Sequence, residues 1–481
     1  MTIWRRYIRC LLCVMAVYAL PVNGMSKEDS IFNERCKHID WPILYIVTRD
    51  SVLPTFTRVE APEGCDGIGI TNNEKVPGRM VIVLKNDTVY DSGEYKKDTA
   101  GMTIRVRGNS SAYYTYTDKK PYKIKLEKKC DLLFRGNENL YADKDWVLLR
   151  HALCETLVGN MVNRAIGMEW TPAEQPVFVF LNDSYWGVYM LTENVKRSKC
   201  RVDIDKDGYL FEYDAYWWNE DFHIESRYYY NYTLKYPASD EISAAQLDYL
   251  TAHLQTVESV FHEPEGLDSV IDIYSYARWL WVHDIIGTRD GGGSNMYLVK
   301  KDESPESKQA MICAWDFDGS YAKKGQWSAV HDLWWFWWFF NIPQKLFVNE
   351  YIRLYDTQVV NLFDKLVYSI DSLMETPLVA ALDSAYVMEN QRWSEKNKSA
   401  SHQLQTLRNY LLNRKTEVAS LMDDLRANYV YEAVPTVIDA ETYELRAFDI
   451  LGRPIPETTA SGFVIIRKSD GTSTKQIRIR N

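Results

Sequence analysis

The apolar pattern changes period along this chain, and that change restricts its fold more than any other feature. Between residues 40 and 127 the apolar residues form short runs, Ile43-Leu44-Tyr45-Ile46-Val47 and Met80-Val81-Ile82-Val83-Leu84. Others alternate with polar residues, as in Met102-Thr103-Ile104-Arg105-Val106-Arg107 and Tyr122-Lys123-Ile124-Lys125-Leu126. Both patterns signal strands. Alternation places Lys123 and Lys125 on one face, with Tyr122, Ile124 and Leu126 on the other. Residues 145–165 take helical spacing, with Leu149, Leu153, Leu157 and Met161 four apart and Gly167 as the stop. Strands return at 177–180 and 187–191, and Asn182-Asp183 makes the turn of a hairpin. From about residue 240 the helical period dominates. Residues 271–287 form one helix, and 346–425 form several. The last is amphipathic through Leu404, Leu407, Leu411, Val418, Leu421 and Leu425. Beyond Tyr429, short alternating segments lie between Gly452, Pro454, Pro456 and Gly462. The expected fold class is α+β: a β-rich first part, a helical second part and a small C-terminal β-module. No internal repeat is visible.

Hydrophobic residues are 46% and charged residues 25% of the 481, so a folded chain is expected rather than a disordered one. A net charge of −10 argues against nucleic acid as a partner. Arg5, Arg6 and Arg9 precede an apolar run of eleven residues, 10–20, too short to span a bilayer. Residues 1–24 therefore read as a secretory leader, with an uncleaved or lipid anchor as the alternative. Its removal takes the net charge from −10 to −13, because three Arg and no acid leave. The expected location is secreted, periplasmic or cell-surface in a bacterium, with no membrane span after cleavage. Cys36, Cys65, Cys130, Cys154, Cys200 and Cys313 remain, and no Cys-x-x-Cys supports zinc. Export makes disulfides plausible, with Cys36–Cys65 the first pair to consider. Cys154 and Cys313 sit in apolar surroundings and read as buried thiols. The run of eight aromatic and apolar residues at 333–340 reads as a buried helix or a substrate-facing wall.

The chemistry concentrates at the boundary of the helical part. Thr288-Arg289-Asp290-Gly291-Gly292-Gly293-Ser294-Asn295 is followed by Trp315-Asp316-Phe317-Asp318. An Asp with an Asn five positions later, then an Asp-Phe pair, has the spacing of a phosphotransfer loop and its metal-binding aspartate. One carboxylate there accepts a hydroxyl proton, while an amide oxygen and a second carboxylate hold Mg²⁺. The plainer reading makes Asp290 a turn acid, Asp284 a structural helix residue, His283 a packed polar side chain and the lysines a solvated strand. Paired carboxylates at Asp316 and Asp318 also admit glycoside hydrolysis.

Several further segments follow one another in a fixed order. They are Arg107-Gly108-Asn109-Ser110-Ser111, Lys119-Lys120-Pro121-Tyr122 continuing to Leu126, and Asp145-Trp146-Val147-Leu148-Leu149. Then come Arg164 to Met168, Gly187-Val188-Tyr189-Met190-Leu191-Thr192-Glu193 and, after the two aspartate motifs, Asn390-Gln391-Arg392-Trp393. The series resembles the spore-coat-protein-H-like (CotH) kinases, an atypical protein-kinase-like family, over roughly residues 40–400. The resemblance implies a bilobal fold. Its domain would span 101–430, with 25–100 as a β-rich segment joining the N-lobe and 431–481 as a sorting or accessory module. It also implies an ATP-dependent phosphotransferase using Mg²⁺ or Mn²⁺, acting on Ser or Thr of an exported protein. Asp290 would be the catalytic base, and Asn295, Asp316 and Asp318 the metal ligands. Arg107, Asn109 and Ser110 would cover the phosphates, with Lys120 or Lys123 pairing them. Glu155, the one Glu within 145–165, is the candidate to orient that lysine, and Glu193 the candidate to meet the nucleotide. The chain departs from the family in lacking Gly-x-Gly-x-x-Gly, in its three consecutive glycines, and in Ala322 where Gly is frequent. The alternative is a catalytically weak or inactive kinase-like surface protein that binds glycan or protein, which the abundant Trp and Tyr suit.

Overall fold

The computed structural model describes residues 24–429 except 72–73, 114–116, 229, 264, 291, 342–344 and 395, together with four strands beyond 429. All of the expected leader but Gly24 lies outside the described residues. Helix α1 (Lys27–Lys37) precedes β1 (Ile43–Thr48), the short pair β2 (Arg58–Glu60) and β3 (Ile68–Ile70), β4 (Val76–Leu84), β5 (Asp87–Asp91) and β6 (Met102–Val106). One-turn helix α2 (Ser110–Tyr113) leads into β7 (Tyr122–Cys130), and α3 (Glu138–Tyr141) into β8 (Asp143–Leu149). Then come α4 (Leu153–Ile166) and the hairpin of β9 (Glu174–Leu181) and β10 (Ser184–Glu193).

The sheet closes on itself. Following the hydrogen bonds from β1 through β9, β10, β8, β7, β6 and β4 returns to β1, with β5 appended to β4. Closure removes the exposed edges that an open sheet must protect. The strand period decides which residues fill the barrel. Leu44, Ile46, Met80, Ile82, Ile104, Ile124, Trp146 and Leu148 share its interior cluster. The alternate residues Ile43, Tyr45, Val81, Phe178 and Phe180 belong to the larger core that the helices complete. The hairpin turn falls at Asn182 and Asp183, both left-handed at φ 51° and 64°, as the strand-matching primed turn requires.

The remainder begins with β11 (Tyr209–Tyr213), β12 (Ile224–Glu225), β13 (Asn231–Tyr236), helices α5 (Ala244–Phe261), α6 (Leu267–Val270) and α7 (Ile273–Ile286), then β14 (Met296–Lys300) and β15 (Gln309–Met311). These strands form a second sheet in the order β12-β13-β11-β14-β15. Helices α8 (Trp334–Asn341), α9 (Lys345–Leu354), α10 (Val360–Met374), α11 (Pro377–Trp393) and α12 (Ala400–Asn428) follow. Past them, β16 (Arg446–Phe448), β17 (Pro454–Ile455), β18 (Gly462–Arg467) and β19 (Ser473–Arg478) pair in the order β17-β16-β18-β19. The fold is therefore mixed α+β, a barrel-like sheet followed by a helical region. Among the described residues no helix is long and apolar enough to cross a membrane.

Three expectations need correction. Residues 143–149 are a strand and not the start of a helix, because Trp146 and Leu148 fill the barrel while β8 pairs with β7 and β10. The apparent four-residue spacing joins Leu149 of that strand to Leu153 of α4, and the helix itself starts after Ala152. Gly167 is the stop, left-handed at φ 83°. Cys36 and Cys65 are separate free thiols, and Cys36 is fully buried, as are Cys154 and Cys313. On α12 the buried stripe ends at Val418 and Met422, with Leu421 and Leu425 only partly covered.

Helix α8 is the aromatic run. Trp335, Phe336 and Phe339 are buried, while Trp337 is 47% exposed. The segment Asn390–Trp393 is a docking element: Arg392 Nε donates to the Tyr185 carbonyl at 2.8 Å and Trp393 Nε1 to that of Trp186 at 3.1 Å. Next to it Glu389 meets Lys119 in a buried ion pair at 2.5 Å. That lysine also donates to the carbonyls of Val188 and Arg150 at 2.7 and 3.0 Å.

Candidate active site

A narrow cleft separates the start of β7 and the β8–α4 corner from the segment after β15. Its free volume is about 570 Å³, mouth included, and Arg107, Ser111, Arg150, His151, Asp316 and Asp318 line it.

Helix α4 sets the aspartate wall. Asn163 grips Ala314 at both backbone groups: its Oδ1 accepts the Ala314 N–H at 3.1 Å and its Nδ2 donates to the Ala314 carbonyl at 2.9 Å. One turn earlier, Phe317 lies against Gly159 so closely that a Cβ there would come within 2.3 Å of the ring. Between these anchors Asp316 is left-handed, φ 66°, which turns its carboxylate into the cleft. The segment is irregular, so Asp316 and Asp318 do not share the face of a strand.

The loop carrying Asp290 is tied to this wall. Arg289 N–H donates to the Gly319 carbonyl at 3.0 Å, and a Cβ on Gly319 would lie 2.7 Å from that of Asp290. Tyr321 and Ala322 donate backward to the carbonyls of Ile286 and Gly287 at 2.5 and 3.2 Å. Asp290 itself is exposed. A second, more open cavity of about 820 Å³, mouth included, lies beside this loop, lined by Cys65, Asp66, Trp217 and Glu225 among others. Ala215, also in its lining, donates its N–H to the Gly293 carbonyl.

The two cleft carboxylates differ in how readily they ionise. Desolvation by the surrounding cleft, and then the neighbouring Asp318, push the Asp316 carboxyl up to about 6, although the residue stays accessible to solvent. Among the described residues no cation forms an ion pair with it. Asp318 is held below the usual carboxylate range, chiefly by its hydrogen bond with His151, whose Nε2 lies 3.0 Å from Oδ2. Burial raises Glu155, whose Oε2 has no hydrogen-bond partner among the described residues and which feels both His151 and Asp318.

The remaining candidates divide. Arg107 and Ser111 line the cleft. Gly108 between them and Asn109 is left-handed at φ 78°, and Asn109 caps α2 through its carbonyl, which accepts the Ala112 N–H at 2.9 Å. Ser110 is exposed. Asn295 is left-handed at the entry to β14, its N–H donating to Glu212 Oε1 at 2.8 Å, and it is not in the cleft lining. Lys123 is engaged by Asp145 at 3.4 Å, and Lys196 binds the same carboxylate at 2.6 Å. Burial opposes ionisation of Asp145, but these two lysines outweigh it and draw the carboxyl down to about 2. Lys120 donates to the Thr117 carbonyl at 3.2 Å, outside the cleft lining. Glu193 is 1% exposed and committed to Arg135 at 2.9 Å, so it serves the interior and not the cleft. His283 is buried with Nδ1 3.0 Å from Thr288 Oγ1, and Asp284 accepts from Ser328, His331 and Tyr351; both are structural, as the plainer reading had them.

Sequence reasoning missed Arg150 and His151, which belong to no spacing pattern, and the burial of Lys119, which alternation cannot reveal because it precedes the strand.

Among the described residues no three His, Cys, Asp or Glu side chains converge on one point. A dedicated protein cage is therefore not what this cleft offers. Its donors do fit Mg²⁺, which commonly takes one or two carboxylates and completes its shell with substrate phosphates and water. Asp316, with no ion-pair partner among the described residues, is the group best placed to receive it.

Residues 104–418 match the family described as CotH kinase protein. The match covers well over half of the chain, and the protein belongs to the CotH kinase family. No curated protein matches it significantly.

Proposed function

We propose that this chain transfers the γ-phosphate of ATP to a Ser or Thr hydroxyl of an exported protein with the help of Mg²⁺ or Mn²⁺. One observation carries the reading: Asp316, without an ion partner among the described residues, shares a cleft with Arg107 and the Ser111 loop, and the loop bearing Asp290 is hydrogen-bonded to the same wall. Asp290 accepts the proton of the acceptor hydroxyl. Asp316 and Asp318 hold the metal, and Asn295 is a further oxygen donor near the loop. Arg107 and the backbone of residues 108–111 meet the phosphates. Bound Mg²⁺ supplies neutralisation of phosphate charge, which with positioning provides most of the catalysis in this class. Lys123, held by Asp145, stiffens the barrel beside the cleft. The bilobal layout of protein kinases and an extracytoplasmic location belong to the same proposal, supported by the family and by the leader-like N-terminus.

Titration calorimetry with Mg-ATP tests the reading. Binding in the micromolar to low-millimolar range, lost in Asp316→Ala, is expected. No heat at millimolar nucleotide would overturn it and favour a kinase-like binding protein.

A further inference from the structure

We propose that His151 is a positioning residue for the metal–nucleotide complex, acting by fixing Asp318; this rests on the phosphotransfer reading above. The imidazole belongs to the short corner between β8 and α4 and reaches the opposite wall of the cleft, where Nε2 lies 3.0 Å from Asp318 Oδ2. The corner is fixed from several directions. Ala152, next in the chain, is left-handed at φ 54°, a conformation that holds the turn tight. The neighbouring Arg150 donates from Nε to the Ser111 carbonyl at 3.0 Å, which joins the corner to the loop assigned to the phosphates. The Arg150 carbonyl in turn accepts from Lys119, the buried partner of Glu389. His151 thus carries the position of the phosphate loop across to the aspartate wall.

The need for such a contact follows from charge. Asp316 and Asp318 repel each other, and an unheld Asp318 would turn away from its neighbour. With one oxygen of Asp318 engaged by His151, the carboxylate keeps a single orientation, and Asp316 is left as the cleft carboxylate without an ion partner among the described residues. Metal and phosphate then meet one rigid arrangement. Partners that orient metal ligands in this way are worth roughly 10–100-fold in metal affinity.

The test is binding of Mn²⁺ to the full chain with a non-hydrolysable ATP analogue, followed by calorimetry, with the metal-free analogue as a second titration. His151→Ala should weaken Mn²⁺ binding roughly 10–100-fold, with metal-free analogue binding unchanged. His151→Gln, which keeps a donor at similar reach, should restore most of the loss. In an Asp318→Asn background, His151→Ala should add little, because the partner is already altered. Unchanged Mn²⁺ affinity in His151→Ala, failure of Gln to rescue, or an equal loss in both backgrounds would each overturn the inference. A wild-type chain that binds no Mn²⁺–nucleotide would instead overturn the phosphotransfer reading on which it stands.

Discussion

Asn163 holds Ala314 by both of its backbone groups, N–H at 3.1 Å and carbonyl at 2.9 Å, two residues before Asp316. Replacing Asn163 by Ala strands two buried backbone groups in the core. Each unsatisfied group costs about 1–3 kcal/mol, so a loss of roughly 2–6 kcal/mol is expected in urea unfolding. A loss below 1 kcal/mol would show that the clamp is dispensable.

Gly159→Ala separates stability from function. In an exposed helix the change would gain up to about 1 kcal/mol in helix propensity. Here the new methyl would meet the Phe317 ring at 2.3 Å, so the ring and the aspartates flanking it must move. Circular dichroism should remain helical while phosphotransfer falls by roughly 10²-fold, the scale expected of an ångström-sized displacement. Wild-type turnover in this variant would refute the packing argument.

The Lys119–Glu389 pair is buried on both sides, at 3% and 2% side-chain exposure. Breaking such a pair leaves an uncompensated charge, so Lys119→Met should destabilise by about 3–5 kcal/mol. Adding Glu389→Gln removes that charge while keeping an acceptor for the Val188 N–H. The double variant should therefore be more stable than additivity predicts, by up to about 3 kcal/mol. Strict additivity of the unfolding energies would contradict the coupling.

Glu258 gives a pH dependence away from the cleft. Its carboxyl is fully buried, accepts from Tyr232 at 2.7 Å, and is pushed up to about 7 by burial. The folded chain keeps this proton while the unfolded chain releases it near 4.5, so proton release favours unfolding. The contribution is complete below about 4.5 and is lost as pH rises through about 7. A shift of this size corresponds to roughly 3 kcal/mol. Glu258→Gln should flatten stability between pH 5 and 8, to be read from denaturant midpoints across about that range; parallel curves for the two proteins would refute the assignment.

Asp290→Asn keeps the loop geometry and removes the base. Turnover should fall by about 10²–10⁴-fold with nucleotide affinity nearly unchanged. Full activity would move the proton acceptor elsewhere.

Much of this architecture is legible in the residues themselves. Alternation from Met102 to Val106 and from Tyr122 to Leu126 fixes two barrel strands and the shared face of Lys123 and Lys125, because side-chain direction on a strand has period two. The left-handed pair Asn182-Asp183 marks the hairpin, and the order of motifs identifies the family. Three features depended on contacts distant in sequence. Residues 143–149 have a spacing compatible with helix, and only pairing with β7 and β10 makes them a strand. Glu193 looked available in sequence, yet Arg135, 58 positions away, takes its carboxylate. His151 and Asp318 are 167 residues apart and meet only because α4 places the β8–α4 corner opposite the aspartate wall. Local periodicity and motif order report neighbours along the chain, and so determined the elements and the family. Closure of the barrel and packing of α4 brought remote charges together, and so decided which carboxylates are spent on the interior and which face the cleft.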